Sequence, residues 1–228
     1  MIPETELGTA IAKTTGSPRI QDVRSELASD LEQQGGLRHA ASPEGLNSPL
    51  ADGGHHLWQG QKLVGGNFAD TFLNFGLGDS VYANGGKGND LIDGGLGKDR
   101  LLGGKGADVF VFDSLADSLT RAPDIILDFQ KGDRIDLRGI DANTALDGDQ
   151  GFHLAIGGSY DIGGATVSYN AANVTELKLH VDDNDTVDAV IWLSGNHINL
   201  TANDFWFQEP RPHNGGRRRP VIVIGLGA

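Results

Sequence analysis

Three aspartates recur every nine residues within a glycine-rich stretch of this 228-residue chain. Asp90, Asp99 and Asp108 each occupy the sixth position of a gapless nonapeptide, Gly-Gly-x-Gly-x-Asp-x-U-x, in which U is a large apolar residue. Carboxylates and the backbone carbonyls of glycine loops together offer many hard oxygen ligands, which Ca²⁺ prefers. Zn²⁺ would favour His or Cys, and the loops contain neither. The spacing therefore predicts calcium ions held between stacked loops.

This repeat is identified as the RTX nonapeptide, whose tandem copies form a calcium-binding parallel β-roll. Each copy is then one half-turn of a flattened coil. Its first six residues form a tight loop that needs positive φ angles, which glycine adopts without steric cost. The x-U-x segment that follows is a short strand, and its central residue (Ile92, Leu101 or Phe110) points into an apolar interior.

Two imperfect copies precede the three regular ones. Residues 65–73 keep the paired glycines and Asp70 but carry Phe68 at position four, and residues 74–82 contain Asp79. Because Asp79 and Asp90 are eleven residues apart, two extra residues are expected near Ala83 and Asn84. We therefore expect about five half-turns. Asp70 and Asp79 are further metal-ligand candidates, although the last three copies form the better loops.

The segment after the repeats carries a more specific pattern. Residues 106–112, 115–118 and 124–137, followed by 167–173 and 200–205, resemble the C-terminal domain of serralysin-type secreted metalloproteases. Similar domains close other type I-secreted proteins, including the repeat modules of alginate C-5 epimerases. The resemblance covers roughly residues 63–208. It departs from the family pattern in a Gly132-Asp133-Arg134 turn that is one residue short, in the continuation through residues 208–228, and in the absence of a catalytic domain.

The resemblance also implies a ligand set. Carbonyls at positions two and four and the carboxylate at position six would bind one ion, and carbonyls at positions one and three would serve the ion on the other side. These residues are Gly86, Gly88 and Asp90; Gly95, Gly97 and Asp99; and Gly104, Gly106 and Asp108, with Gly85, Gly94 and Gly103 at position one. Asp117 and Asp124 match positions that hold a further calcium beside the roll. The expected total is about two to five ions.

The expected fold is all-β: a parallel β-roll capped by an antiparallel β-sheet or sandwich, with a short N-terminal helix. Ile20, Val23, Leu27 and Leu31 have helical spacing within a peripheral segment, residues 1–57. The roll is expected over residues 58–113, the cap over 114–208 and an extension over 209–228. The cap strands are expected at 125–129, 135–137, 152–156, 165–169, 176–181, 188–193 and 205–207.

Composition limits the partners and the compartment. A net charge of −13 disfavours nucleic acid and anionic membrane surfaces. The chain has no cysteine and so can form no disulfide. Bound calcium is therefore expected to stabilise the fold outside the cell. No run of 18 apolar residues predicts a transmembrane helix. The N-terminus lacks the basic and apolar regions of a signal peptide, which fits a type I exporter that reads an uncleaved C-terminal region.

Known catalytic motifs are missing. No histidine is followed by glutamate, which excludes the His-Glu-x-x-His zinc motif, and Gly157-Gly158-Ser159-Tyr160-Asp161 fails as a nucleophile elbow. The predicted function is a secreted, non-catalytic, calcium-binding RTX module that folds on binding Ca²⁺ outside the cell. One alternative is an adhesin or polysaccharide-binding module that uses Trp58, Trp192 or Trp206. Another is a C-terminal fragment or accessory part of a serralysin-like protease or an alginate epimerase.

Three remaining features favour structural interpretations. Residues 182–188 resemble part of an EF-hand loop but lack its glycine and terminal glutamate, which favours a hairpin turn. The adjacent His55 and His56 are weak metal-ligand candidates. The apolar tail, residues 221–228, imitates the start of a dinucleotide fold but ends before a helix could follow, so an added strand is expected there.

Overall fold

The computed structural model describes residues 55–57, 62–73, 78, 80–155 and 161–207, and its regular structure is almost entirely β-strand. The helix predicted near residues 20–31, Trp58, Asp79 and the extension over 209–228 lie outside these ranges. None of the helices within the described ranges is long and apolar enough to cross a membrane.

The described strands form two sheets. In chain order they are β1 His55–Leu57, β2 Lys62–Val64, β3 Thr71–Leu73, β4 Tyr82–Lys87, β5 Leu91–Asp93, β6 Arg100–Lys105, β7 Val109–Val111, β8 Ile125–Ile126, β9 Arg134–Asp136, β10 His153–Ala155, β11 Gly164–Tyr169, β12 Val174–Leu179, β13 Ala189–Ser194 and β14 Phe205–Trp206. The first sheet has the order β1-β3-β5-β7-β9-β14, and the second has the order β10-β11-β12-β13-β8-β6-β4-β2.

Consecutive repeat strands alternate between the two sheets, as a coil of half-turns requires. Within each sheet the repeat strands pair in parallel. The central residues of these strands point inward and stack in register. They are Phe72, Ile92, Phe110 and Ile135 in the first sheet, and Leu63, Ala83, Leu101 and Ile126 in the second. All eight are buried in one hydrophobic cluster, which confirms the predicted β-roll.

The strand pairing corrects one detail of the expected register. Tyr82 pairs with Arg100 and Ala83 with Leu101, so Ala83 is the inward residue of its half-turn. Eight residues (74–81) therefore separate β3 from β4, whereas six (94–99) separate β5 from β6. The two extra residues lie in this loop and not near Ala83 and Asn84, as the sequence had suggested. As a result, Val81 stands at position six.

The antiparallel part continues the second sheet of the roll. Strands β11, β12 and β13 pair antiparallel, and β13 then pairs in parallel with β8 of the roll. Residues 180–188 connect the paired strands β12 and β13, which confirms the predicted hairpin. Leu193 aligns with Ile126, so the core of the roll runs into that of the antiparallel strands without a break. This continuity covers the edge of the roll at β8.

Candidate metal centre

The repeat aspartates form two columns along the roll. In the first column, the backbone N–H of Asp70 donates to Oδ1 of Asp90 at 2.8 Å, and that of Asp90 donates to Oδ1 of Asp108 at 2.8 Å. The N–H of Asp108 donates in turn to Oδ1 of Asp133 at 3.1 Å. Each carboxylate is therefore aimed at the preceding turn, and one of its oxygens fixes the register between the two turns.

The second column is built in the same way on the other edge of the roll. The N–H of Val81 donates to Oδ1 of Asp99 at 2.8 Å, and that of Asp99 donates to Oδ1 of Asp124 at 2.7 Å. The N–H of Asp124 then donates to the Ser118 hydroxyl at 2.9 Å. Because Val81 has no carboxylate, this column contains Asp99 and Asp124 among the described residues. The predicted ligand Asp79 lies outside them.

The second oxygen of four column aspartates is buried and has no hydrogen-bond partner. These atoms are Oδ2 of Asp90, Asp99, Asp108 and Asp124, and the four residues are at most 1% exposed. Burial is the main factor that raises the pKa of Asp90 to about 6, of Asp99 to about 7 and of Asp124 to about 9, and it also raises the pKa of Asp108. A buried carboxylate oxygen without a donor is costly, and a cation would remove that cost.

The glycines give the loops a backbone that brings carbonyls close together. Positions two and four have positive φ in all three regular repeats: Gly86, Gly88, Gly95, Gly97, Gly104 and Gly106. A Cβ at Gly106 would lie 1.6 Å from the Gly88 carbonyl oxygen of the preceding turn. A Cβ at Gly103 would lie 2.2 Å from Oδ2 of Asp108. Stacked loops can therefore approach each other, and each aspartate can fold over its own loop, only where these positions lack a side chain.

Both described ends of the first column differ from its middle. Oδ2 of Asp70 accepts a hydrogen bond from the N–H of Gly66 at 3.0 Å, and Oδ2 of Asp133 accepts one from the N–H of Gln130 at 2.9 Å. In both cases the donor belongs to the same loop as the aspartate. The unsatisfied oxygens are therefore confined to the interior of this column and to Asp99 and Asp124 of the second.

Asp117 and Asp124, predicted as a pair, have different environments. Asp117 lies on the short 3-10 helix Leu115–Ser118 and caps its start, because its Oδ2 accepts from the N–H groups of Asp113 and Ser114. Asp124 instead belongs to the second column. Their charges are nevertheless close, since Asp99 and then Asp117 and Asp93 add to the burial that raises the pKa of Asp124.

Two acidic positions of this region were missed by the sequence interpretation. Asp133 lies at position six of loop 128–133, whose glycine pattern is lost, but its distance of 25 residues from Asp108 matches that between Asp99 and Asp124. Asp93 is buried at the end of β5 and contributes to the raised pKa of Asp99. The signal for Asp133 in the sequence is its place directly before the strand Arg134–Asp136, as Asp108 stands directly before Val109–Val111.

Within the described ranges, no group of three or more His, Cys, Asp or Glu side chains forms a metal cluster by itself. This agrees with loops in which backbone carbonyls outnumber carboxylates as ligands. His55 and His56 lie on β1, and their side chains are outside the described structure. The buried Oδ2 atoms, the positive-φ glycines and the stacked carbonyls together fit a hard divalent cation.

Comparison with known proteins places this geometry in a family. The family described as peptidase M10 serralysin C terminal matches residues 76–207, which is more than half of the chain. The chain belongs to this family. The matched residues include the strands of the roll from β4 onward and the antiparallel strands.

Solved structures similar to this serralysin C-terminal domain include two subunits of a mannuronan C5-epimerase from Azotobacter vinelandii. The AlgE6R3 subunit is 27% identical, with a TM-score of 0.49, over 82% of this chain and 96% of its own. The AlgE6R2 subunit is 28% identical, with a TM-score of 0.46, over 75% of this chain and 99% of its own. No curated protein matches the chain.

Proposed function

We propose that the chain is a secreted RTX module that binds several calcium ions and requires them for its folded state. The observation that carries this proposal is the set of four buried, unsatisfied Oδ2 atoms on Asp90, Asp99, Asp108 and Asp124. Each lies on an oxygen-rich interface between stacked loops, where Ca²⁺ finds the ligands it prefers. Calcium, when bound, would supply the positive charge that these carboxylates need in order to be ionised and buried.

The direction of each carboxylate indicates which residues would bind each ion. Asp90 and Asp108 face the loops that precede them in the first column, and Asp99 and Asp124 do so in the second. The carbonyls of the regular loops complete these sets: Gly85, Gly86 and Gly88; Gly94, Gly95 and Gly97; Gly103, Gly104 and Gly106. Four unsatisfied oxygens support four ions.

This arrangement makes folding depend on the calcium concentration. Without a cation, each of the four carboxylates would be buried either as a charge without a counter-charge or at the cost of taking up a proton, and at neutral pH both favour the unfolded chain. With calcium, binding free energy becomes folding free energy, at about 2.7 kcal/mol for each site at a hundredfold excess over its Kd. Family membership supports an extracellular role after type I export. The missing His-Glu-x-x-His and Gly-x-Ser-x-Gly motifs support a role without catalysis.

The test is a calcium titration of the full chain followed by far-UV circular dichroism, with magnesium as the ion control. We expect a cooperative gain of β structure with calcium and little change with magnesium. The variant Asp108→Asn should lose one bound ion and raise the calcium midpoint roughly tenfold, or about 1.4 kcal/mol. The matched control Asp147→Asn changes an exposed loop aspartate and should leave the midpoint unchanged. Full β structure in excess chelator would refute the proposal.

A second candidate function, binding of an acidic polysaccharide, is favoured by one face of the roll. We define the cationic face by Lys62, Tyr82, Lys98, Arg100 and Trp192, on the outer side of the second sheet. Lys62 lies over the Tyr82 ring at 5.7 Å, and Lys98 lies over the Trp192 ring at 5.5 Å. The outward positions of β2, β4 and β6 carry no acidic residue, although the whole chain has a net charge of −13.

The register explains why these side chains form one surface. Lys62, Tyr82, Arg100, Ile125 and Trp192 are aligned across five neighbouring strands. Tyr82 and Trp192 are therefore separated by about 14 Å, three strand spacings of roughly 4.8 Å. Aromatic rings can stack on sugar rings while the cations pair with carboxylates. Trp206 lies at the far end of the other sheet and does not belong to this face.

Calorimetric binding of the calcium-loaded chain to hyaluronan, with neutral dextran as the ligand control, tests this second function. Binding to hyaluronan should weaken at least tenfold in the variants Trp192→Ala and Arg100→Ala. The control Lys131→Ala removes an exposed cation in the loop before β9, which is not part of the cationic face, and should bind as the wild type does. Equal binding by all three variants would exclude the cationic face as the site.

A further inference from the structure

The loop at residues 128–133, which we call the closing loop, has the length and register of a calcium loop but not its composition. Arg134 pairs with Val109 of the preceding turn, and the Asp133 carboxylate accepts a hydrogen bond from the backbone N–H of Asp108, as the repeat aspartates do from the turns before them. This register resolves the turn that looked one residue short in the sequence. Positions one, two and four, however, are Asp128, Phe129 and Lys131, where the regular repeats have glycine.

The closing loop binds the preceding loop through side chains. The two carboxylate oxygens of Asp128 accept from the N–H groups of Gly103 and Gly104, both at 2.9 Å. The Gln130 side-chain amide donates to the Gly104 carbonyl oxygen at 2.6 Å. That carbonyl is one of those that the repeat pattern offers to a cation. At this interface the Gly104 carbonyl is therefore already engaged by a hydrogen-bond donor.

The rest of the closing loop strengthens this contrast. Oδ2 of Asp133 accepts from the N–H of Gln130, whereas Oδ2 of Asp90 and of Asp108 has no donor. Phe129, at position two, is buried and packs against Phe110 with 6.3 Å between ring centroids. A glycine at that position could not make this contact. The closing loop therefore replaces an oxygen-rich loop with an apolar and hydrogen-bonded one.

We propose that the interface between loop 103–108 and the closing loop is held by Asp128 and Gln130 without a cation. The last calcium site of the first column is then the one at Asp108. The inference rests on the proposed calcium function. Asp108, Asp128 and Asp133 all contribute carboxylates to this region, but among the described residues no three acidic side chains form a metal cluster by themselves. Here the oxygens of Asp128 and Asp133 are already satisfied by backbone N–H donors, and Lys131 adds a positive charge to the same loop.

The interfaces between the turns of the roll therefore differ in whether they need an ion. The interfaces at Asp90, Asp99, Asp108 and Asp124 require an ion, while the interface at the closing loop does not. This last interface also carries β9, which pairs with β7 of the roll and with β14. A metal-independent contact at this point provides an ordered end on which calcium-bound turns can be added.

Native mass spectrometry of the full chain at saturating calcium tests the assignment by counting ions. The wild type should bind four ions, the variant Asp128→Asn should also bind four, and Asp108→Asn should bind three. Five ions on the wild type, or the loss of one ion in Asp128→Asn, would overturn the proposal. No ions on any variant would instead refute the calcium function itself, so the two failures are distinguishable.

Hydrogen exchange of the backbone amides at saturating calcium tests the same contact without counting ions. The Gly103 and Gly104 amides should be protected in the wild type and should exchange at least tenfold faster in Asp128→Asn. Gln130→Ala, a change at an exposed position, is a milder second variant that should retain the fold and four ions. Equal exchange of both amides in the wild type and in Asp128→Asn would show that Asp128 does not hold this interface.

Discussion

Replacement of Gly106 by alanine tests whether the close approach of stacked loops is what requires glycine. Gly106 has a φ of 147°, and its Cβ would lie 1.6 Å from the Gly88 carbonyl oxygen. Ordinary contact begins at 3.4 Å, so the two loops would have to separate by 3.4 − 1.6 = 1.8 Å. That is more than a third of the spacing of about 4.8 Å between neighbouring strands. The hydrogen bonds across the interface cannot survive such a shift, and the proposed calcium site would be lost with them.

The matched control is Gly132→Ala. Gly132 also has a positive φ, 111°, but the nearest atom to its Cβ would be 3.7 Å away. This variant therefore carries only the backbone strain, about 1–3 kcal/mol. Gly106→Ala carries that strain and the separation of the loops as well, so its expected loss is roughly 2 kcal/mol greater or more.

The assay is urea unfolding of both variants in saturating calcium, followed by circular dichroism, with calcium affinity measured separately by calorimetry. We expect Gly106→Ala to lower the free energy of unfolding much more than Gly132→Ala and to weaken calcium binding. If the two variants lost equal stability and both bound calcium like the wild type, glycine would be required only for its φ angle. The argument from the close approach of the loops would then be wrong.

Three further predictions concern pH, the core and a buried hydroxyl. Burial raises the folded-state pKa of Asp99 to about 7 and of Asp124 to about 9, so the metal-free fold would bind more protons than the unfolded chain. The β structure that circular dichroism detects in chelator should therefore increase as the pH falls from about 9 towards 4. Calcium needs the ionised carboxylates, so its affinity in calorimetry should fall over the same change, and metal-free β structure independent of pH would contradict this reasoning. Leu101→Ala removes a fully buried core side chain and should lower the free energy of urea unfolding by about 2–5 kcal/mol. Leu102→Ala, at a partly exposed position, should lower it much less, and equal losses of stability would contradict the inward orientation of Leu101. Ser118→Ala removes the hydroxyl that joins two buried backbone groups and should cost roughly 2 kcal/mol in thermal unfolding, and an unchanged melting temperature would show that these groups find other partners.

The nine-residue period predicted most of the roll because each position has a separate physical requirement. Ile92, Leu101 and Phe110 had to be inward, since they are the only large apolar residues at a fixed offset from the aspartates, and all three are buried. The positive φ angles at positions two and four follow from glycine in the same way. The strands of the antiparallel part were predictable from alternation, as in β12.

The register of the first turns could not be predicted from residue types. Asp79 looked like a position-six aspartate because it lies nine residues after Asp70. The pairing of Tyr82 with Arg100 instead places Val81 at that position. An insertion inside a loop changes no residue type in the strands, so only the cross-strand pairing reveals it. The continuity between roll and antiparallel sheet was hidden for a similar reason, because β8 has only two residues.

The two oxygens of the column aspartates have separate roles in the proposed dependence of this fold on a cation. Oδ1 accepts a backbone N–H from the preceding turn, so it fixes the register whether or not an ion is present. Oδ2 has no protein donor at Asp90, Asp99, Asp108 and Asp124, so the same contact buries an unsatisfied charge. At Asp133, by contrast, the loop itself supplies an N–H to the second oxygen. In the proposed scheme, a single hydrogen bond to Oδ2 therefore distinguishes Asp133 from Asp90, Asp99, Asp108 and Asp124.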